Sequence, residues 1–200
     1  MPAFDFIEIG TSDFETLIQS CDLKTGISVE PVKYYLDALP NKANVIKIHA
    51  GISDLDGFIE VFYVHPDDIK KYNLISWVRG CNSVGCPHPT VVKLLEENNI
   101  PLSIIKKDVV NVKSIATLFL ENDVQSIGYL KIDTEGHDCI ILHNYIDYCE
   151  VRPELFAKKI RFETNELSSR ADQVEVIDRL LNNGYTVVSY DKDAVLTRLA

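Results

Sequence analysis

The sequence predicts an α/β domain built on a central, mostly parallel sheet. Three observations lead there. Short apolar or alternating runs take turns with amphipathic segments, the order that places helices on the crossovers between parallel strands. Apolar residues make up 46% of 200, enough for one full core in a single domain spanning 1–200. Carboxylates recur at the ends of the runs read as strands, which is where open α/β sheets bind ligands.

The elements follow in order. FDFIEI (4–9) alternates as a strand does and stops at Gly10. Residues 12–20 are expected to be helical, since Thr11 or Ser12 can cap them and Glu15 stands at capping-box spacing from Ser12. GISVEP (26–31) is a short strand ended by Pro31, and a helix over 32–39 is broken by Pro40-Asn41. ANVIKIHAGI (43–52) and GFIEVFYV (57–64) read as strands joined by Asp54-Leu55-Asp56-Gly57, a hairpin-type turn. A short helix follows Pro66, and SWVRGCNSVGCPHP (76–89) is expected to be a long loop, too broken by Gly and Pro to be core. Helical spacing returns at 90–98, a strand at 101–111 and an amphipathic helix at 112–122. SIGYLKID (126–133) is a strong strand, and the apolar positions 140, 141, 142, 145 and 146 fit a buried helix face after it. A strand over 158–165, a helix over 170–182 stopped by Asn183-Gly184, and strands at 186–191 and 194–199 complete the chain.

Charge and cysteine usage narrow the class. Twenty Lys+Arg against thirty Asp+Glu give a net charge of −10, which repels phosphate backbones and argues against nucleic-acid partners. No run reaches the roughly 18 apolar residues of a membrane span. The N-terminus carries no basic n-region, so no signal peptide is expected. Cys21, Cys81, Cys86, Cys139 and Cys149 form no CxxC pair and no zinc spacing. That odd count with no framework points to a reducing, cytoplasmic setting. The chain enters its first strand almost at once, which leaves room for other transferase domains in a longer protein.

Four of five strand ends carry a carboxylate: Glu8-Ile9-Gly10, Glu30-Pro31, Asp133-Thr134-Glu135-Gly136 and Glu163-Thr164-Asn165, with Ala50-Gly51-Ile52-Ser53 as the fifth. Carboxylates avoid one another unless something cationic or donating lies between them. Glu30, 20 residues after Gly10, stands where an acid accepts ribose hydroxyls in dinucleotide sites. The first loop, Gly10-Thr11-Ser12-Asp13-Phe14, is not Gly-x-Gly-x-x-Gly, and Asp13 would repel a pyrophosphate. A nicotinamide oxidoreductase is therefore disfavoured. S-adenosylmethionine, cationic and free of phosphate, suits the loop. Glu8, Gly10, Thr11, Ser12, Asp13, Glu30, Pro31 and Asp133 are expected on its side, with adenine near Gly51, Ile52 and Ser53.

The chemical candidates lie nearby. Asp133 and Glu135 can be read as a helix cap and a first-turn acid, or, with Glu163, as site carboxylates. A methyl acceptor that carries a weakly acidic proton needs a base, for which His88 or Asp133 stands as candidate. The alternative is a divalent cation, Mg²⁺ or Ca²⁺, held by Asp133, Glu135 and Glu163. Trp77, Arg79, Asn82, Ser83 and His88 of the long loop, with His137, are the substrate-side candidates, each weighed against an ordinary core or surface role. His49, His65 and His143 read as structural.

FIEIGTSDFETL, SVEP, HAGISDLDG, YLKIDTEGHDCIIL and IRFETN, in that order over roughly residues 4–165, resemble the FkbM family of S-adenosylmethionine-dependent methyltransferases. LKIDTEGHD (130–138) is the most specific piece. The resemblance implies a Rossmann-like class I methyltransferase fold with a seven-stranded sheet, helices on both faces and an antiparallel last strand. It implies O-methylation of a hydroxyl on a sugar, glycan or related small molecule, with region 65–100 on the substrate side. The first loop departs from the family pattern at Ser12, Asp13 and Phe14. An N- or C-methyltransferase, or a non-catalytic sugar-binding domain with a relic pocket, are the competing readings.

Overall fold

A computed structural model describes residues 3–13, 15–20 and 22–198. Phe14 of the first loop, Cys21, and Leu199 at the end of the last expected strand lie outside the described residues.

The main sheet has seven strands: β1 (Ala3–Ile9), β2 (Gly26–Val29), β3 (Val45–Ile48), β8 (Ser126–Ile132), β9 (Lys159–Glu163), β10 (Tyr185–Tyr190) and β11 (Asp193–Arg198). Their order is β10-β11-β9-β8-β1-β2-β3. β11 runs antiparallel to both neighbours, and the pairs among β3, β2, β1, β8 and β9 are parallel. The helices α5 (Ile115–Glu121), α6 (Asp138–Val151) and α7 (Arg170–Asn182) cover one face. Their apolar residues merge with Ile7, Leu130, Ile160 and Leu196 into the largest core cluster. The other face is layered over β1–β3 by α1 (Leu17–Ser20) and α2 (Lys33–Ala38), through Ile18, Leu36 and Leu39 on Phe6. The outward side chains of β9 and β11, Lys159, Arg161 and Val195, join no apolar cluster among the described residues.

A second, four-stranded sheet stands beside the first, in the order β4 (Gly51–Ser53), β7 (Ile105–Ser114), β5 (Gly57–Val64), β6 (Ser83–Val84). The run expected as one strand over 43–52 therefore divides between two sheets. The expected hairpin at Asp56-Gly57 does not form. β7 lies between β4 and β5, so that Val112 faces both Gly51 and Gly57. Asp56 instead clamps the β7–α5 junction. Its Oδ1 accepts from the Ser114 amide and its Oδ2 from the Thr117 hydroxyl, while Ser114 Oγ accepts from the Thr117 amide as N-cap.

Two other expectations are corrected. The helix expected over 12–20 is only α1, because its start is fixed from elsewhere. Glu8 reaches up from β1 and its carboxylate accepts from the Leu17 and Ile18 amides at 2.5 and 3.0 Å. Thr16 Oγ1 accepts from the Gln19 amide. Ser12, with φ 46°, and Glu15, with φ 54°, are left-handed and cannot continue a helix. The segment expected as an irregular, core-free loop over 76–89 holds a 3₁₀ turn at Ser76–Arg79, β6 and the start of α4 (Pro89–Glu97). With α3 (Pro66–Lys71) it makes a small core of its own around Val64, Val78, Val91, Leu95 and Ile104, in which Val78 is fully buried.

Candidate active site

The ends of β1, β2, β8 and β9, roofed by the second sheet, enclose a cleft of about 250 Å³. Of the expected cofactor-side residues, Gly10, Thr11, Ser12, Glu30, Pro31, Gly51, Ile52 and Asp133 line it. Gly10, with φ 75°, is required by its neighbour: a Cβ there would stand 1.9 Å from the Asp133 carbonyl oxygen. Its side-chain space is used to join β1 to β8. Glu8 lies beneath the cleft and does not line it. Its carboxylate is spent on α1 and on the Ser28 hydroxyl at 2.5 Å, and burial raises its pKa against those bonds. Asp13 also faces away, towards Arg79 Nε at 3.3 Å. Ser53 lies behind the wall, donating to Asp54 Oδ1 at 3.0 Å and standing 2.9 Å from His137 Nε2.

Glu30 is 2% exposed. Its Oε2 accepts from the Thr11 and Ser12 amides at 3.0 and 2.8 Å, and its Oε1 from the Val32 amide at 2.8 Å. The Thr11 hydroxyl adds a longer bond to Oε2 at 3.5 Å, so Oε1, which carries only the Val32 amide, is the oxygen with an acceptor position left. Burial pushes the group up to about 7, against the pull of those amides.

The opposite wall is crowded with acids. Oxygens of Asp133, Glu135 and Glu163 lie within 4.8 Å of one another. Lys131 Nζ stands 3.2 Å from Asp133 Oδ2 and relieves part of the repulsion. Glu163 Oε2 is buried with no hydrogen-bond partner. Burial first, then the charges of Glu135, Asp133 and Asp138, push Glu163 up to about 8. Glu135 adopts φ 52°, a left-handed backbone that aims it across the cleft mouth at His88. His88 Nδ1 accepts from the Thr90 amide at 3.2 Å, which leaves the ring proton on Nε2, 3.3 Å from Glu135 Oε2. Cys81 completes a second cluster with His88 and Glu135. An imidazole that binds metal donates its other N–H, whereas this one accepts there, and burial pushes the Cys81 thiol up to about 12. That cluster fits a protonated Nε2 better than an ion. The three-carboxylate cluster has the oxygen donors a hard cation takes.

The substrate-side expectations separate. Asn82 and His137 line the cleft, whereas Trp77, Arg79, Ser83 and His88 do not. Asn82 donates to the Arg79 carbonyl at 3.1 Å and leaves Oδ1 buried without a partner. Burial holds His137 below its usual pKa, with Asp54 opposing. Trp77 is 37% exposed on the outer side, and Ser83 Oγ donates to the Cys86 carbonyl. Arg79 binds the first loop instead, accepting through its carbonyl from Ser12 Oγ at 2.9 Å.

Sequence reasoning missed Asp138. Fully buried, it accepts from the Thr134 amide and hydroxyl through Oδ2 and from the Glu163 amide through Oδ1, so one side chain ties the ends of β8 and β9 together. Burial lifts it to about 6. It also missed Arg161, Lys192 and Asp193 on the cleft wall. The period of two along β9 places Arg161 on the face of Glu163 and was the available signal.

The sheet order, the lone antiparallel β11 and an acid-lined cleft at the parallel strand ends define a methyltransferase of the Rossmann-like class. The chain belongs to the FkbM methyltransferase family: the model of the methyltransferase FkbM domain matches residues 8–187. Comparison with curated proteins and with solved structures gives no match. The family implies S-adenosylmethionine, and the cleft fits it on a structural observation. Asn82 Oδ1 and Glu163 Oε2 are buried acceptors lacking donors, and a ligand with an ammonium group would offer donors of the kind they lack. Among the described residues, no helix is long and apolar enough to cross a membrane.

Proposed function

We propose that the protein is an S-adenosylmethionine-dependent O-methyltransferase acting on a hydroxyl of a sugar, glycan or related small molecule. The observation that carries this reading is the division of the cleft between Glu30, held under the first loop by three amides, and the Asp133–Glu135–Glu163 group across from it. When bound, the cofactor supplies an electrophilic methyl group on a sulfonium. Glu30 offers its remaining acceptor position to a ribose hydroxyl. Asn82 Oδ1 and Glu163 Oε2 accept from the ammonium or from the acceptor. Holding the acceptor hydroxyl in line supplies much of the rate. Its proton needs a nearby acceptor; Asp133 on the cleft wall and Glu135, beside the His88 Nε2–H, are the candidates. The whole chain acts as one domain, with region 65–100 forming the acceptor side through Asn82 and Gly80. The four described cysteines are free, which suits a reducing, cytoplasmic setting.

A second reading adds Mg²⁺ or Ca²⁺ at Asp133, Glu135 and Glu163, favoured by their oxygens lying within 4.8 Å. Calorimetric titration with S-adenosylhomocysteine tests the cofactor, and a methyl-transfer screen over sugars, run with Mg²⁺ and with EDTA, tests acceptor and cation. Absence of binding in the titration would sink the methyltransferase reading. Activity indifferent to EDTA would sink the cation.

A further inference from the structure

The cleft continues past its acidic wall. Arg161, Lys192 and Asp193 line both the cleft and a neighbouring open groove of about 420 Å³, which reaches Tyr129 and Lys159 on the half of the sheet left uncovered by the described residues. We propose that this open face of β8, β9 and β11 is a second part of the acceptor site, beside the Asn82 and Gly80 side of the cleft, and that it takes a sugar carrying an anion, a carboxylate or a phosphate. The proposal rests on the methyltransferase reading and adds the chemical class of the acceptor.

Four observations support it. Strand alternation places Lys159, Arg161 and Glu163 on one face of β9, so a ligand lying along it spans about 13 Å from the cleft acids to Lys159, at about 3.3 Å per residue. The groove brings three cations, Lys159, Arg161 and Lys192, against two carboxylates, Asp191 and Asp193. That excess of one positive charge stands in a chain of net charge −10. Arg161 spends part of its guanidinium on Asp193 at 2.7 Å and part on the Tyr129 hydroxyl, and its five N–H donors in a planar fork leave some over for a carboxylate or phosphate. Lys192 makes no ion pair among the described residues. Finally, Val195 joins no apolar cluster among the described residues, and the Lys159 ammonium sits 4.5 Å over the ring of Tyr129, which packs at the edge of the Phe6 cluster. A polar face with one aromatic ring suits a sugar better than an apolar segment of the chain. The site is thus bipolar: an acidic end for a cationic cofactor, and a basic end through which an anionic acceptor approaches without crossing the acids.

The test uses the protein saturated with S-adenosylhomocysteine, with D-glucose 6-phosphate, D-glucuronate, D-glucose and inorganic phosphate as probes in ligand-observed NMR titrations. At least one anionic sugar is expected to bind ten-fold or more tightly than glucose. That preference should shrink as salt is raised and vanish in the Lys159→Gln/Arg161→Gln variant, whose folding is checked by its thermal melt. Which anionic sugar binds decides between phosphate and carboxylate. Because Arg161→Gln opens the pair to β11, the Lys159→Gln/Lys192→Gln variant is run beside it, and either folded variant serves. Glucose matching the anionic sugars, a preference retained in the variants, or inorganic phosphate matching glucose 6-phosphate would each overturn the proposal. Failure of the cofactor titration strikes the methyltransferase reading separately, since the sugar comparison can be made without cofactor.

Discussion

The two walls of the cleft handle buried charge in opposite ways. Glu30 is the more buried, yet three amides converge on it, so its charge belongs to the framework and holds the first loop in place. Glu163 stands among three other carboxylates and keeps one oxygen buried without a donor. One wall is finished by the chain itself. The other is left incomplete, and an incomplete polar wall marks where a ligand is expected, because the missing bonds are costly until something supplies them.

The largest expected effect breaks the finished wall. Glu30→Ala strips an acceptor from three buried amides and should cost about 3 kcal/mol or more of stability, at about 1–3 kcal/mol per abandoned donor. Urea denaturation reads it, and an unchanged midpoint would show that Glu30 does not hold the loop. Next, Asp133→Asn should keep the fold and lower turnover at least about ten-fold, since a charge aligned with the reacting centre is removed. Single-turnover methyl transfer measures this, and full activity would clear Asp133 of a chemical role. A third test turns on protons. Glu163, lifted to about 8 from an ordinary 4.5, binds its proton more tightly folded than unfolded. Its contribution to stability is whole below about pH 4.5 and is lost as pH rises through about 8. Melts of the wild type should lose stability between about pH 4.5 and 8 and level off above, and Glu163→Gln should lose less over that window. Parallel curves would mean that the crowding is relieved some other way. The smallest effect is expected outside both walls: Trp77→Ala should leave S-adenosylhomocysteine affinity within about 0.5 kcal/mol, the range of surface changes. A larger loss by calorimetry would draw the outer side of region 65–100 into the cofactor site.

Much of this was legible in the sequence. The strands of the main sheet stand close to where alternation puts them, and the acids at their ends do gather round one cleft. Glu8 is the instructive exception. It has the same strand-end address as Glu30 and serves α1 instead, because its neighbours Leu17 and Ile18 present bare amides. Which acid meets a ligand and which meets a helix depends on tertiary placement, and no local spacing encodes it. The same holds for Val78, whose Gly- and Pro-rich surroundings read as loop although α3 and α4 bury it. Asp138 was hidden by its position in a helix's first turn, where an acid already has a local reason to be.

The threading of β7 between β4 and β5 has a kinetic consequence. β4 and β5 are separated only by Asp54, Leu55 and Asp56, and Asp56-Gly57 is a turn sequence that closes strands on a microsecond scale. Their native partner arrives from residues 105–114, some fifty positions later. A hairpin formed early there would have to reopen before β7 could enter, a detour that refolding rates would reveal. Replacing Leu55 with proline, which pre-sets the first central position of the turn and so favours its closing, is expected to slow refolding in stopped-flow mixing. An unchanged or faster rate in a variant of native stability would show that no such detour is taken.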